Sequence, residues 1–291
     1  LRTARKLQRS GDRRPTMMTR LLCRVSSDSV GGMTVWTIRP RNRPVATRVV
    51  YLHGGGYVHP LTVDYWRLVR ALTSSPAEVI VPGYPLAPDA TVDDVLPRLL
   101  ALEEQTDSHL PTVLMGDSAG GALAIVIAQQ MRARRPAPAG VVALCPWLDA
   151  TLDEEAVADL ESTDPMLAES GLRAAGRWWA GTRSPADPVV SPLAGELDGL
   201  PPVDVFIGDH DILRPAVNDL ARRAQRVSLD LHVHEVSAMF HVWMTRLIPE
   251  GRRTRRQLSH VVEQRTREFV QRTEQARASR SRSTRATSAD E

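Results

Sequence analysis

A serine flanked by small residues is the first feature of this sequence that points to chemistry. The pattern Gly-Asp-Ser-Ala-Gly occupies residues 116–120, between the apolar run 113–115 and a helical pattern over 119–134. A Gly-x-Ser-x-Gly pattern between a strand and a helix is typical of a nucleophile elbow, a tight turn that exposes the serine. The positive end of the helix would face the same site. We therefore predict that Ser118 is a nucleophile.

A run of three glycines follows another predicted strand. The pattern His-Gly-Gly-Gly-Tyr occupies residues 53–57, directly after the apolar residues 49–52. Because glycine has no Cβ, such a turn can aim backbone N–H groups into a cavity. N–H groups of this kind stabilise the negative oxygen that forms during acyl transfer. We predict an oxyanion hole formed by the N–H groups of Gly55, Gly56 and Ala119; the alternative is a merely flexible loop. His53 is predicted to hold this loop and not to act as a base.

A nucleophilic serine needs a histidine base, and in proteins with this type of elbow the base follows the serine and the acid along the chain. The downstream histidines are His210, His232, His234, His241 and His260. His232 and His234 alternate along a strand pattern and are predicted to be structural, while His260 lies in a charged helical pattern. His241 lies in the loop after that strand, where a base would reach the carboxyl edge of a sheet. We predict His241 as the base.

The acid is expected in the loop after the preceding strand, 203–208, where two aspartates lie. Sequence position does not separate Asp209 from Asp211. The apolar pair at 212–213 would fix a loop that carries Asp211, whereas Asp209 stands where a turn residue commonly bonds its own backbone. We predict Asp211 as the acid and keep Asp209 as the alternative.

Alternating strands and helices are predicted to position these residues. Strands are predicted at 33–38, 48–52, 79–81, 113–116, 140–144, 203–208 and 230–236, and helices at 64–74, 92–104, 119–134, 215–226 and 253–271. Several strands are continuous apolar runs, as expected of strands that are buried on both faces of a sheet. The alternation predicts an α/β fold with a mostly parallel central sheet and helices on both faces. The stretch 151–187 interrupts it and is predicted to be an insertion over one end of the sheet.

The length of 291 residues, with 42% hydrophobic and 24% charged, suits one large domain. We predict a basic segment over 1–30 that is partly disordered or part of a cap, the main domain over 31–273, and a disordered Arg/Ser/Thr-rich tail over 274–291. The basic ends flank an acidic body without a recognisable nucleic-acid-binding module, so no nucleic-acid partner is expected. No apolar run has the length of a membrane span, so stable membrane insertion is not expected.

The two cysteines, Cys23 and Cys145, have neither metal-site nor redox-motif spacing. We interpret them as free thiols of a cytoplasmic protein. The sequence shows no cluster with metal-ligand spacing, so neither a metal nor an organic cofactor is expected.

Several short blocks together resemble one known family. Besides the two glycine motifs, they are Tyr84-Pro85-Leu86-Ala87-Pro88, Pro146-Trp147-Leu148-Asp149 and Ser191-Pro192-Leu193. Over about residues 30–270 the chain resembles the hormone-sensitive-lipase-like branch of the α/β-hydrolase fold, although Pro85 stands where that family has arginine. The resemblance implies Asp211, in an Asp-x-Leu pattern, as the acid and His241 as the base. It also implies a helical cap formed by the amino-terminal segment and the insertion.

This resemblance and the complete Ser/Asp/His set predict a serine carboxylesterase. Its partner would be a short-to-medium-chain ester, with lactones included, that reacts through an acyl-enzyme, and the protein would be a monomer or a homodimer. The predicted pocket residues are Tyr57, Asp117, Trp147, Trp178, Trp179 and Trp243. For Trp178 and Trp179, the alternative is that they only anchor the cap. An amide or acetyl hydrolase, or a non-catalytic small-molecule receptor, are the competing functions.

Overall fold

The computed structural model describes residues 5–6, 8–105, 110–132, 137–152 and 155–287. Its strands are β1 (Cys23–Val30), β2 (Met33–Pro40), β3 (Thr47–Leu52), β4 (Ala77–Gly83), β5 (Thr112–Asp117), β6 (Gly140–Leu144), β7 (Val203–Gly208) and β8 (Leu231–Val236). Its α-helices are α1 (Met17–Leu22), α2 (Tyr65–Leu72), α3 (Val92–Gln105), α4 (Ala119–Met131), α5 (Glu155–Glu161), α6 (Glu169–Ala180), α7 (Arg214–Arg226) and α8 (Pro249–Thr287). Among the described residues, no helix is long and apolar enough to cross a membrane.

The eight described strands form one sheet in the order β1-β2-β4-β3-β5-β6-β7-β8. Strands β3 to β8 run parallel, and β1 and β2 pair antiparallel at one edge. Every residue of β3 is buried, as the continuous apolar pattern predicted. In the centre of the sheet Leu52 of β3 lies beside Gly116 of β5. The glycine loop and the serine turn therefore leave the sheet side by side.

Helices cover both faces of the sheet because the connections leave the central strands in opposite directions. The chain passes from β3 through α2 to β4 on one side, and from β5 through α4 to β6 on the other. Right-handed crossovers place α2 and α4 on opposite faces. Helix α8 packs against α2, and α3 packs against α4. The connection between β6 and β7 contains α5 and α6, which form the insertion that the sequence predicted.

The sheet begins earlier than the sequence predicted, because β1 at Cys23–Val30 precedes the proposed domain start at residue 31. Polar residues at 27–29 concealed this strand from the search for apolar runs. An edge strand pairs on one side only, and most of β1 is exposed, so it needs no continuous apolar pattern. The glycine pair at 31–32, which joins β1 to β2 in a two-residue turn, was the available signal.

Residues 8–16 of the amino-terminal segment, which was predicted to be partly disordered or part of a cap, are held against the loop that follows Tyr57. The side-chain amide of Gln8 donates a hydrogen bond to the carbonyl of Val58 at 2.9 Å. The backbone N–H of Arg13 donates to the carbonyl of Leu61 at 2.8 Å. Hydrogen bonds to one loop hold the segment without a large apolar contribution, and composition carries no signal of such bonds.

The carboxyl-terminal helix extends beyond the expected domain end. Helix α8 continues to Thr287, whereas the sequence predicted a disordered tail over 274–291. Leu258 and Val262 anchor its first half in the core. Adding residues to an established helix costs little when they are good helix formers, and arginine and alanine make up seven of the fourteen residues 274–287. Residues 288–291 lie outside the described part of the chain.

Candidate active site

The serine turn between β5 and α4 has the strained backbone of an elbow. Ser118 has φ 53° and ψ −120°, a combination that costs of order 1–3 kcal/mol unless neighbours hold it. Its N–H donates to the carbonyl of Leu144 at 2.8 Å, and its carbonyl accepts from the N–H of Trp147 at 3.0 Å. A Cβ at Gly120 would overlap the backbone of Leu52. These contacts explain why the serine must have small neighbours.

The glycine loop after β3 lies directly against this turn. The backbone of Gly55, Gly56 and Tyr57 has positive φ angles of 104°, 60° and 62°. The N–H of Gly54 donates to Oδ1 of Asp117 at 2.9 Å, and a Cβ at Gly54 would overlap the Asp117 carboxylate. The residue before the serine therefore fastens the glycine loop to the nucleophile turn.

The side chain of Asp117 lies inside the protein and not in the pocket position that the sequence predicted. It is fully buried, and its carboxylate also accepts hydrogen bonds from the hydroxyls of Tyr51 at 2.6 Å and Tyr65 at 3.1 Å. Burial raises the pKa of Asp117. Three donors surround this carboxylate inside the protein, so it acts as the centre of a structural network and not as a substrate contact. Sequence reasoning missed this role because nothing in the motif itself identifies the three donors.

His53 is a part of the same loop, and its position fits the structural role predicted for it. Its Nδ1 lies 2.8 Å from the carbonyl of Gly54, and its ring stacks on Tyr84 with the centroids 4.4 Å apart. The Tyr84 hydroxyl donates to the His53 carbonyl at 2.5 Å. Burial lowers the pKa of His53.

A buried hydrogen bond joins the predicted base to the predicted acid. Nδ1 of His241 lies 2.8 Å from Oδ2 of Asp211, and both side chains are almost completely buried. Because a carboxylate only accepts hydrogen bonds, Nδ1 carries the proton and Nε2 is left as the basic nitrogen. Burial by itself lowers the pKa of His241, but the charge and hydrogen bond of Asp211, together with the charges of Asp164 and Asp117, outweigh burial, so this pKa lies above its usual value.

The alternative acid, Asp209, lies elsewhere on the same loop. Its Oδ2 accepts a hydrogen bond from the hydroxyl of Ser237 at 3.1 Å. The second oxygen of Asp211 accepts from the N–H of Leu213 at 3.0 Å, which fixes that carboxylate in its loop. The structure thus brings Asp211, and not Asp209, to the histidine.

Cys145 links the serine side of the site to the histidine side. It follows β6 next to Leu144, which receives the Ser118 N–H, and its Sγ accepts from the N–H of Val242 at 3.3 Å. Its Sγ and one atom each of Asp211 and His241 lie within 4.8 Å of one another. Burial raises the pKa of the Cys145 thiol well above its usual value. A protonated thiol is a poor metal ligand, so these three groups fit a hydrogen-bonded cluster better than a metal site.

Aromatic rings connect the glycine loop to the insertion. Tyr57 stacks on Trp179 of α6 with the centroids 4.1 Å apart, and on Trp147 at 5.5 Å. All three side chains are buried, and the stack on Tyr57 anchors Trp179, and with it the insertion, on the core. Anchoring was the alternative interpretation of Trp178 and Trp179. Trp178, the neighbour of Trp179, is half-buried.

Trp243 does not belong to this aromatic group, in contrast to the pocket prediction. It is fully buried, and its Nε1 donates to the hydroxyl of Thr254 in α8 at 3.0 Å. The side chain therefore fastens the segment after His241 to the last helix. Its proximity to His241 along the chain suggested a pocket position, but the backbone turns between the two residues and directs the ring into the core.

Comparisons with known proteins agree on the fold. A family model described as alpha/beta hydrolase fold matches residues 49–245. An acetyl-hydrolase of Streptomyces hygroscopicus is 32% identical over 234 residues, which are 77% of this chain and 78% of the relative. The crystal structure of a putative esterase from Staphylococcus aureus superposes with a TM-score of 0.82, at 25% identity and 89% coverage of each chain. An esterase from the bacterial hormone-sensitive lipase family superposes at 0.78, with 24% identity and coverage of 91% of this chain and 97% of that chain.

Proposed function

The chain belongs to the alpha/beta hydrolase fold family, and from this premise we propose that it is a serine carboxylesterase of the hormone-sensitive-lipase-like branch. The observation that carries the proposal is the buried hydrogen bond between Asp211 and His241 at the edge of the sheet where Ser118 occupies its strained turn. A carboxylate, an imidazole and a serine hydroxyl in this order are the parts of acyl-transfer catalysis.

The reaction proceeds in two halves. Nε2 of His241 takes the proton of the Ser118 hydroxyl as its oxygen attacks the ester carbonyl, and the charge of Asp211 stabilises the imidazolium. The tetrahedral intermediate collapses, and the alcohol leaves with the proton from His241. Water then attacks the acyl-enzyme with His241 again as base, and the carboxylic acid is released with Ser118 restored.

The oxyanion of both tetrahedral intermediates is bound by the N–H groups of Gly55, Gly56 and Ala119. Ala119 begins α4, where the first N–H groups of a helix have no partner within the helix. The hydrogen bond between Gly54 and Asp117 holds the glycine loop in place before substrate binds. Such preorganised donors are typically worth 10²–10³-fold in kcat each.

The substrates are esters with short to medium acyl chains. The buried aromatic stack of Tyr57, Trp147 and Trp179 lies between the glycine loop and the insertion, and we take it as the wall that limits the length of the acyl group. The acetyl-hydrolase relative is named for a short acyl group. That name also favours acetylated amines as the second candidate substrate class on the same residues. We place the enzyme in the cytoplasm, where free thiols such as Cys23 and Cys145 persist.

A substrate panel tests the proposal. Wild-type protein and Ser118→Ala are assayed on nitrophenyl esters from acetate to palmitate, on lactones and on acetylated amines. We expect the highest kcat/KM at acyl chains of a few carbons, and a loss of roughly 10³-fold or more in Ser118→Ala at unchanged circular dichroism. Full activity in the variant, or an inactive wild type, would overturn the proposal. Preferential turnover of the acetylated amines would support the second substrate class.

A further inference from the structure

A carboxylate from the insertion reaches the loop that carries the acid. Asp164 lies between α5 and α6 and is 8% exposed. Its Oδ1 accepts hydrogen bonds from the N–H groups of Met166 at 2.8 Å and Leu167 at 3.1 Å, which closes a turn within the insertion. Its Oδ2 accepts from the N–H of Ile212 at 3.2 Å. One side chain therefore joins the insertion to the residue next to Asp211.

The contact with Ile212 bears directly on the orientation of the acid. Carboxylates hold the two backbone N–H groups that directly follow Asp211: Asp164 accepts from the N–H of Ile212, and Asp211 itself accepts from the N–H of Leu213. A shift of this short segment would move the carboxylate away from His241. Misplacement by about 1 Å is enough to reduce turnover strongly, because proton transfer depends on geometry.

The charge of Asp164 also acts on the histidine. The charged groups that act on His241 are Asp211, which is hydrogen-bonded to it, Asp164 from the insertion and Asp117 from beneath the serine turn. Cys145, which follows β6, lies against the same pair. Its thiol is neutral because burial raises its pKa. Burial lowers the pKa of His241, and the three carboxylates raise it, the effect of Asp164 being smaller than that of Asp211. An imidazolium inside the protein is stabilised by each negative charge that faces it.

We propose that Asp164 is a positioning residue of the active site, which holds the acid loop through Ile212 and so keeps the Asp211 carboxylate against His241. This inference rests on the proposed esterase function. If Asp164 acts in this way, the insertion must pack against the acid loop for Asp211 and His241 to be correctly oriented. The insertion then has a role in catalysis besides covering the site. Asp164 touches no reacting atom and acts only through these two neighbours.

Asp164→Asn tests the proposal, because it removes the charge and retains an oxygen that accepts hydrogen bonds. The kcat/KM for nitrophenyl butyrate is measured from pH 4 to 9. Loss of a negative charge makes the imidazolium less favourable, so His241 loses its proton at lower pH. The acidic limb of the pH profile rises as His241 loses its proton and becomes able to act as the base. This limb is expected to move to lower pH by about half a unit or more. We expect kcat on the plateau to fall several-fold, with KM nearly unchanged.

Asp187→Asn is the matched control. Asp187 lies in the same insertion and closes a turn in the same way, since its Oδ1 accepts the N–H of Val189 at 3.1 Å. It is not among the charges that raise the pKa of His241. The acidic limb of this variant is expected to coincide with that of the wild type.

The outcomes separate the proposal from a purely structural role. An unmoved acidic limb in folded Asp164→Asn, or an equal loss of activity at every pH, would overturn it. If Asp164→Asn does not fold, Asp164→Ser removes the charge and retains a hydroxyl that closes such turns. Asp164→Glu retains the charge and is expected to keep the wild-type limb. Failure of all three variants to fold would assign Asp164 a structural role alone. A wild type without esterase activity would refute the proposed function instead.

Discussion

Replacing the two aspartates of the acid loop separately tests the assignment of the acid. Asp211→Asn keeps the size of the side chain and removes its charge, and its oxygen can still accept the N–H of Leu213. The asparagine amide, however, can donate to Nδ1 of His241, which would leave the proton on Nε2. The imidazole would then be held in the tautomer that cannot accept the proton of Ser118.

The size of the effect follows from the burial of the pair. The two atoms lie 2.8 Å apart, and the side chain of Asp211 is fully buried. The imidazolium that forms during turnover would lose the negative charge that is hydrogen-bonded to it, in a site with little solvent. In serine proteases, the corresponding change lowers kcat about 10⁴-fold through the wrong tautomer. We expect a loss of about 10²–10⁴-fold here, which is about 3–5 kcal/mol in the activation free energy.

Asp209→Asn is the matched control on the same loop. Its partner is the hydroxyl of Ser237, which can donate to the asparagine oxygen as it does to the carboxylate. We expect at most a tenfold loss. The kcat of both variants on nitrophenyl butyrate is measured at pH 7–8, and circular dichroism verifies that each is folded. A larger loss in Asp209→Asn than in Asp211→Asn would refute the reasoning, because the observed hydrogen bond would then not be the one used in turnover.

Three further variants or treatments probe other parts of the site. Gly54→Ala places a Cβ against Asp117 and is expected to lower kcat/KM by about 10²-fold or more through displacement of the oxyanion loop; Gly171→Ala, where a Cβ meets nothing within 4 Å, is the control that should remain active. Deletion after Thr273 is expected to leave turnover within about twofold, because the described side chains beyond it are largely exposed; a large fall at intact fold would place the tail at the site. Prolonged treatment with a chelator is expected to leave esterase activity unchanged, and inactivation that zinc reverses would contradict this.

The sequence predicted the elements whose residues carry strong local signals. Runs of mostly apolar residues located β3, β5 and β7, because strands buried on both faces of a sheet are predominantly apolar. The serine turn was predictable since only small residues permit the approach of α4 to β3. Of the two candidate acids, the structure places Asp211 against His241, and the apolar residues that follow Asp211 are buried with its loop.

What the sequence did not predict depends on partners that are distant along the chain. The carboxylate of Asp117 accepts hydrogen bonds from β3, from the glycine loop and from α2. No local sequence pattern indicates that these three segments meet at Asp117. Cys145 looked like an ordinary buried thiol, although it lies against the acid and the base. Trp243 was predicted as a pocket residue because it flanks a loop at the end of the sheet where the site was expected. In each of these cases the direction of a side chain decided its role, and direction follows from the packed fold.

Covalent labelling of the wild-type protein identifies its nucleophile, which we propose is Ser118. Wild-type protein is treated with a fluorophosphonate, residual esterase activity is followed, and the intact mass and the peptide containing Ser118 are analysed by mass spectrometry. We predict one adduct per chain, located on Ser118, with activity lost in proportion to labelling and no adduct in Ser118→Ala. Complete labelling with retained activity, or an inactivating adduct on another residue, would contradict the account.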